Sequence, residues 1–257
     1  MSFIHPTAIV QDGARIGLDC HIGPYCVIGE NVTLGEGCRL HSHVVMDGHT
    51  TVGARNQFYP FASIGLQTQD LKYAGGITRT QIGDENTFRE YVTVHSATGD
   101  GEVTQIGSRN HILAYCHIAH NVILGDRVIM SNVATLAGHV VVEDHAVIGG
   151  LAAVHQFCRI GRMSIIGGCS KVVQDVAPYM LADGNPARTR AINKVGMERN
   201  GIGEAAQAAL KQVYRIFFRE GLSVSNALAK IEETMEPLAE VRQVVEFVRA
   251  SERGIGK

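Results

Sequence analysis

The sequence has no tryptophan, almost no net charge, no long apolar run and no closely spaced cysteine pair. A net charge of −2 creates no global field toward nucleic acid or an anionic membrane, so an acidic partner would need a local basic patch. No stretch approaches the roughly 20 apolar residues of a membrane span, and the start, MSFIHPTAIVQDG, lacks the basic and apolar regions of a secretory signal. We therefore expect a cytoplasmic protein that has no membrane segment and binds no nucleic acid.

Six cysteines are scattered along the chain without a CxxC pair. This spacing indicates reduced thiols and gives no zinc-ribbon framework. Five of the six occupy the same small-residue position of the repeat described next, where a thiol would serve as a small core side chain.

A six-residue period dominates the first two thirds of the chain. Every sixth residue from Ile4 to Val172 is large and apolar, except at Asp70, Gly76 and Asp100. The residue four positions after each of these is mostly small. This pattern is typical of hexapeptide repeats, in which three hexads close one triangular, 18-residue coil of a parallel β-helix.

The period breaks at residues 65–81 and 96–105, which we interpret as loops that leave the coil. Loops on a rigid scaffold are frequent sites of function. After about Pro178 the period ends, and apolar residues then recur at helical spacing, as at Leu210, Val213 and Phe217. We therefore predict a β-helix over residues 1–186 and a small α-helical domain over residues 187–257.

The 18-residue coil predicts a cluster of polar side chains. Residue i lies beside residue i+18, about 4.8 Å away, so His120, Gly138 and Gln156 stack on successive coils. His139 and His155 are adjacent in sequence to two of these positions, and His117 lies on the strand before His120. Taken singly, each histidine is more simply a solvated corner residue, but several at one corner favour a site. Histidine triads bind zinc, yet these residues spread over several coils with no acidic ligand among them, so we expect no metal.

Several longer motifs make the chain resemble a known family, the bacterial UDP-N-acetylglucosamine acyltransferases of lipid A synthesis. The motifs are NQFYPFASIG (56–65), QDLKYAG (69–75), HIAH (117–120), TLAGHV (135–140), AVHQFCRIG (153–161) and GGCS (167–170). The resemblance implies a left-handed β-helix, a homotrimer with active sites between subunits, and transfer of an R-3-hydroxyacyl chain to the glucosamine 3-position. The donor would be acyl carrier protein, whose own 4′-phosphopantetheine carries the acyl chain, so no further cofactor is expected.

By matching position, the resemblance makes His120 the general base and Gly138 the backbone donor to the oxyanion. It assigns further residues to the sugar nucleotide: Gln69, Asp70, Lys72, His117, His139, His155, Gln156, Asn193 and Arg199. Gly168 matches a position where a side chain can block the far end of the acyl groove. Because glycine leaves that end open, we expect a long donor such as 3-hydroxymyristoyl.

Three departures from the family pattern affect the choice of substrate. Asn121 follows His120 where an aspartate is common, HSAT (95–98) replaces HRGT, and Val195 and Asn200 replace a glutamate and an arginine in the tail. A related acyltransferase that uses acyl-CoA or another UDP-amino sugar, such as a 3-amino variant, therefore remains an alternative. A zinc-dependent β-helix enzyme and a purely structural β-helix are weaker alternatives.

Overall fold

The computed structural model describes all residues, 1–257, of the chain. Eleven short strands precede the first loop: β1 (Phe3–Ile4), β2 (Ile9–Val10), β3 (Arg15–Ile16), β4 (His21–Ile22), β5 (Val27–Ile28), β6 (Thr33–Leu34), β7 (Arg39–Leu40), β8 (Val45–Met46), β9 (His49–Val52), β10 (Gln57–Phe58) and β11 (Ser63–Leu66). Three lie between the two loops: β12 (Arg79–Ile82), β13 (Thr87–Phe88) and β14 (Thr93–His95). The rest follow: β15 (Val103–Ile106), β16 (His111–Ile112), β17 (His117–Ile118), β18 (Ile123–Leu124), β19 (Ile129–Met130), β20 (Thr135–Leu136), β21 (Val141–Val142), β22 (Val147–Ile148), β23 (Ala153–Val154), β24 (Arg159–Ile160), β25 (Ile165–Ile166), β26 (Lys171–Val172), β27 (Met180–Gly184) and β28 (Ala187–Ile192).

Strands β1 to β26 enter three different sheets in rotation, which confirms the predicted left-handed parallel β-helix. Face A is the sheet that begins with β1, face B begins with β2 and face C begins with β3. All strands pair in parallel except β27 with β28. Pairing in regular coils joins residues 18 apart, as in Ile118 with Leu136, so the neighbour rule drawn from the sequence holds.

The six-residue period is the inward side of the coils. The repeated apolar residues are almost fully buried from Ile22 onward, and Cys20, Cys26, Cys38, Cys116 and Cys158 are buried with them. Between strands the chain turns sharply, and the second turn residue usually has a positive φ, as in Tyr115, Asn121 and Arg127. A type II turn requires this conformation. Each coil therefore has three corners, named A–B, B–C and C–A after the faces that they join.

The two loops keep the period in phase. Across the first loop, paired residues such as Phe58 and Phe88 are 30 positions apart, and across the second loop Val94 and Ile118 are 24 apart. The additions to the 18-residue coil are thus two hexads and one hexad, which is why apolar residues return on schedule afterwards. The irregular segments are 67–78 and 96–102, somewhat shorter than the predicted 65–81 and 96–105.

The C-terminal part is helical, but its start differs from the predicted residue 187. β27 and β28 form an antiparallel hairpin on the last coil, and the helices follow: α1 (Lys194–Arg199), α2 (Glu204–Phe218), α3 (Val224–Thr234) and α4 (Ala239–Arg249). The side chain of Ser223 caps α3 by accepting from the N–H of Asn226. None of these helices is both long enough and apolar enough to span a bilayer.

Candidate active site

The predicted loop and histidine residues meet in one open cavity of about 660 Å³ on face B. One wall is the first loop and the floor consists of strands β14, β17 and β20. The lining residues are Gln69, Asp70, Leu71, Lys72, His95, His117, Ala119, His120, Thr135, Ala137, Gly138 and Gln156. Seven of the eleven catalytic and nucleotide-binding residues expected from the sequence are therefore brought together within one chain.

His120 occupies the first turn position after β17, at the B–C corner. Its side chain is 16% exposed and lies directly below Gly138 of the next coil. A Cβ on Gly138 would come within 2.4 Å of both Cε1 and Nε2 of His120, so only glycine leaves room for the ring. The N–H of Gly138 donates to no backbone carbonyl, which leaves it free to bind a ligand beside the imidazole.

Asp70 and Lys72 face His120 from the first loop. The Oδ2 atom of Asp70 lies 3.7 Å from Nε2 of His120, and its Oδ1 accepts the backbone N–H of Lys72 at 3.0 Å. That backbone hydrogen bond is the main cause that lowers the pKa of Asp70 below its usual range. A hydroxyl pair, Thr68 and Thr98 at 3.1 Å, ties the first loop to the second.

His117 and His95 form the buried side of the cavity. Their rings meet edge to face at 5.0 Å between centroids, and Nδ1 of His117 is 2.7 Å from the hydroxyl of Thr93. Burial lowers the pKa of His117 to about 4, with smaller contributions from His95 and His120. Burial likewise lowers the pKa of His95. Both side chains are thus neutral hydrogen-bonding groups near neutral pH.

Asn121 contacts the other side of the His120 ring. Its Oδ1 is 3.0 Å from Nδ1 of His120 and accepts the backbone N–H of Thr98 at 3.1 Å. Its Nδ2 donates to Oε2 of Glu102 at 2.8 Å. An amide oxygen can only accept, so in the neutral His120 ring the proton lies on Nδ1 and the lone pair lies on Nε2, which faces the cavity.

A stack of rings continues along the B–C corner beyond the cavity. His139 packs edge to face on His120 with centroids 5.3 Å apart and stacks on Phe157 at 4.8 Å. His155 is exposed and its Nδ1 lies 3.3 Å from the guanidinium of Arg253. His139 and His155 therefore adjoin the cavity without lining it.

Three further residues lie away from the cavity within one chain. Asn193 is 7% exposed; its Oδ1 accepts from Gly196 at the start of α1 and its Nδ2 donates to the carbonyl of Met163, at the C–A corner. Arg199 is exposed at the end of α1. Gly168 is exposed at the A–B corner, on the edge of face B opposite to that of His120.

Two residues of the site were not singled out from the sequence. In the sequence, His95 stands out only as part of the HSAT segment. Its position beside the HIAH strand follows from the 24-residue spacing that joins the two strands across the second loop. Glu102 was assigned only to the second loop. No three His, Cys, Asp or Glu side chains are arranged to hold a metal ion; the histidines pack in pairs instead.

Comparison with known proteins shows the family of the chain. A family model described as UDP-N-acetylglucosamine O-acyltransferase, domain 2, matches residues 175–256, and a model of the GMPPB C-terminal domain matches residues 4–56. The solved structure of LpxA from Acinetobacter baumannii is 42% identical with a TM-score of 0.96, covering 99% of this chain and 100% of that chain.

Two other solved structures are similar over the same length. UDP-N-acetylglucosamine O-acyltransferase (LpxA) from Moraxella catarrhalis is 41% identical with a TM-score of 0.94, covering 99% of each chain. The Arabidopsis UDP-N-acetylglucosamine acyltransferase is 36% identical with a TM-score of 0.87, covering 99% of this chain and 100% of that one. These identities over the full length confirm the resemblance seen in the motifs, and the chain belongs to the UDP-N-acetylglucosamine O-acyltransferase family.

Proposed function

We propose that this protein transfers an R-3-hydroxyacyl chain from acyl carrier protein to the glucosamine 3-position of UDP-N-acetylglucosamine, the first step of lipid A biosynthesis. The observation that carries this proposal is the cavity in which Nε2 of His120, the free N–H of Gly138 and the loop residues Asp70 and Lys72 converge. Acyl transfer needs a base, an oxyanion donor and a binding surface for the acceptor.

His120 is the proposed general base. Its Nε2 takes the proton of the sugar 3-hydroxyl as that oxygen forms a bond to the thioester carbonyl carbon. When the tetrahedral intermediate collapses, the carbon–sulfur bond breaks and the departing sulfur takes the proton back from Nε2. Base catalysis of this kind contributes about 10²–10⁴ in rate.

Gly138 is the proposed donor to the oxyanion. The carbonyl oxygen becomes negative in the tetrahedral intermediate, and a fixed backbone N–H stabilises that charge more than it stabilises the ground state. Glycine at this position has two effects: it exposes the backbone N–H, and it leaves room for the His120 ring.

The first loop is the proposed binding surface for the sugar nucleotide. Lys72 supplies positive charge for the diphosphate, and Asp70, which is held close to Nε2 of His120, can accept from the sugar hydroxyls. Asn193 and Arg199, which lie far around the coil, are proposed to serve the cavity of a neighbouring copy. A basic side chain such as Arg199 suits the nucleotide phosphates.

A homotrimer is the proposed assembly, and one corner of the β-helix suits a subunit contact. The aromatic corner is the A–B corner, where exposed rings stack at 4.8–5.0 Å along the coils. Its members are Tyr25, His43, Phe61, Tyr91 and Tyr115, followed by the exposed Val133 and Leu151. A continuous apolar ridge of this length is unusual on a monomer, and a second copy of the chain is its proposed partner. Because the ridge borders face B, the contact would close over the cavity.

The acyl donor is proposed to be acyl carrier protein rather than acyl-CoA. An acidic carrier requires a basic surface, and α2 presents one: Lys211, Arg215 and Arg219 line a shallow depression beside Tyr214. The side chain of Arg219 donates to the Tyr214 hydroxyl at 2.9 Å, which keeps its charge at the edge of that depression.

The test combines a donor comparison with a His120 variant. The parent should use 3-hydroxyacyl-carrier protein much faster than 3-hydroxyacyl-CoA, and UDP-N-acetylglucosamine faster than its 3-amino analogue. His120→Ala should lose at least about 100-fold in kcat while it still binds the sugar nucleotide and keeps the parent's melting temperature. Substantial turnover by His120→Ala would rule out the base role, and equal rates with both donors would rule out the carrier.

A further inference from the structure

The orientation of one amide decides whether His120 can act as a base. Asn121 can present either its oxygen or its NH₂ group to Nδ1 of His120, whereas a carboxylate at this position could only accept. If the NH₂ group faced the ring, Nδ1 would accept and the proton would move to Nε2. His120 would then have no lone pair toward the sugar hydroxyl.

Two contacts select the productive orientation of the Asn121 amide. The backbone N–H of Thr98 requires an oxygen at Oδ1, and the carboxylate of Glu102 requires a donor at Nδ2. Turning the amide over would place its NH₂ group against an N–H and its oxygen against a carboxylate. Both contacts come from the second loop, 19 or more residues before Asn121.

Glu102 is itself held in place. Its Oε2 accepts the backbone N–H of Gly99 at 2.8 Å in addition to the Asn121 amide. These two hydrogen bonds, with the one from Asn121 first, lower the pKa of Glu102, so the group remains an ionised acceptor at neutral pH. Asp70 at Nε2, His139 against the ring and Gly138 of the next coil are the other close neighbours of the His120 side chain, and none of them is hydrogen-bonded to the Asn121 amide.

We propose that Glu102 is a positioning residue that orients Asn121 so that His120 keeps its proton on Nδ1 and its lone pair on Nε2. This inference rests on the proposed role of His120 as the general base. It also explains how asparagine can replace the aspartate that the family pattern commonly has at this position. The carboxylate of Glu102 does not contact the His120 ring directly but acts on it through the Asn121 amide.

The experiment compares Glu102→Ala, Glu102→Gln and the double variant Glu102→Ala/Asn121→Asp with the parent, using kcat and KM for UDP-N-acetylglucosamine. Glu102→Ala should lower kcat about 3- to 10-fold, the equivalent of one hydrogen bond, with KM within about twofold of the parent. Glu102→Gln keeps an acceptor of the same shape and should keep most of kcat. The double variant should regain activity, because an aspartate at 121 needs no partner to present an oxygen to Nδ1.

The double variant distinguishes a Glu102 that orients the Asn121 amide from a Glu102 that only stabilises the second loop. A Glu102→Ala variant with the parent's kcat would overturn the proposal, and so would a double variant no better than Glu102→Ala or a Glu102→Gln variant as slow as Glu102→Ala. His120→Ala is measured in the same series. If His120→Ala stays active, the proposed base is wrong; if it is inactive while Glu102→Ala is fully active, only the role of Glu102 is wrong.

Discussion

The ring of His120 fills the space that a side chain on Gly138, one coil further on, would occupy. A Cβ on Gly138 would lie 2.4 Å from Cε1 and Nε2 of His120. A real Cβ does not approach ring atoms this closely, so either the ring or the backbone would have to move. Gly138 does not have a positive φ, so the backbone itself would accept alanine. The need for glycine at this position comes from the His120 ring.

The first prediction is that Gly138→Ala displaces the His120 ring and lowers kcat by about 100-fold or more, the scale of a lost general base. Gly150→Ala is a matched control for stability, since Gly150 holds the same turn position at another corner and its nearest neighbour to an added Cβ is a carbonyl oxygen at 3.3 Å. The two variants should have similar melting temperatures. A Gly138→Ala enzyme with the parent's kcat would show that the ring can move without cost.

The second prediction concerns pH and His117. Burial depresses the folded-state pKa of His117 to about 4, below the unfolded value near 6.5. The neutral side chain therefore contributes stability that is fully present above about pH 6.5 and is lost as the pH falls toward 4. In His117→Asn, unfolding free energy should fall less between pH 7 and pH 4.5 than in the parent, by about 2 kcal/mol. Denaturant titrations at both pH values measure this difference. An equal fall of the unfolding free energy in the parent and in the variant would contradict the prediction. Because His95 is present in both proteins, its own protonation contributes to both pH dependences.

The sequence predicted the scaffold well because one physical requirement repeats in every coil. Each hexad must bury one large residue and turn once, so the period records both the strands and the corners. It also predicted neighbours: the pairing of His120 with Gly138 follows from the 18-residue coil alone. The second loop shifts this spacing to 24 for Val94 and Ile118, and the same shift sets Thr93 beside His117, whose ring meets that of His95.

Other features depended on contacts that no period encodes. Glu102 reaches Asn121 through the shape of an irregular loop, which sequence spacing does not specify. Asn193 combines a helix cap with a bond to Met163, and neither contact was visible as a pattern. The predicted helical domain includes α1, but the sequence did not give the bounds of this helix, because six residues with a central glycine give little periodic signal.

The third prediction concerns the basic surface of α2. The double charge reversal Arg215→Glu/Arg219→Glu should raise KM for acyl carrier protein at least about tenfold, since charged rim residues govern encounter, and should leave KM for UDP-N-acetylglucosamine nearly unchanged. In the parent, KM for the carrier should rise with added salt. Arg242→Glu on α4 is a control outside this surface. A salt-independent carrier KM in the parent would exclude electrostatic docking.

The fourth prediction concerns the aromatic corner. Tyr91→Asp/Tyr115→Asp places two carboxylates on the ridge, where the stacked rings are 4.8 Å apart, and should convert the proposed trimer to monomers because an unpaired charge is costly to bury. Light scattering gives the mass directly. Arg127→Asp, at the C–A corner, should leave the mass unchanged. Intact trimers of the tyrosine variant would mean that another surface forms the assembly.

The fifth prediction concerns the length of the acyl chain and rests on Gly168. This residue lies at the A–B corner, 30 residues or about one and two-thirds coils beyond Gly138, so it is about 8 Å further along the axis and across the width of face B. An added Cβ at Gly168 meets only the carbonyl oxygen of Gly150, at 3.3 Å, so this position is open. The family resemblance places the far end of the acyl groove here. The open end fits a long chain, and the parent should prefer a fourteen-carbon 3-hydroxyacyl donor to a ten-carbon one.

Gly168→Met should reverse this preference, because its side chain occupies the end of the groove and each methylene that loses its burial costs about 0.8 kcal/mol. Gly168→Ala is the matched control: it adds the Cβ without the longer chain and should keep the parent's preference. Relative kcat/KM values for ten-, twelve- and fourteen-carbon donors give the answer. If the parent prefers ten carbons, or if the methionine variant keeps the parent's order, the groove ends at a residue other than Gly168.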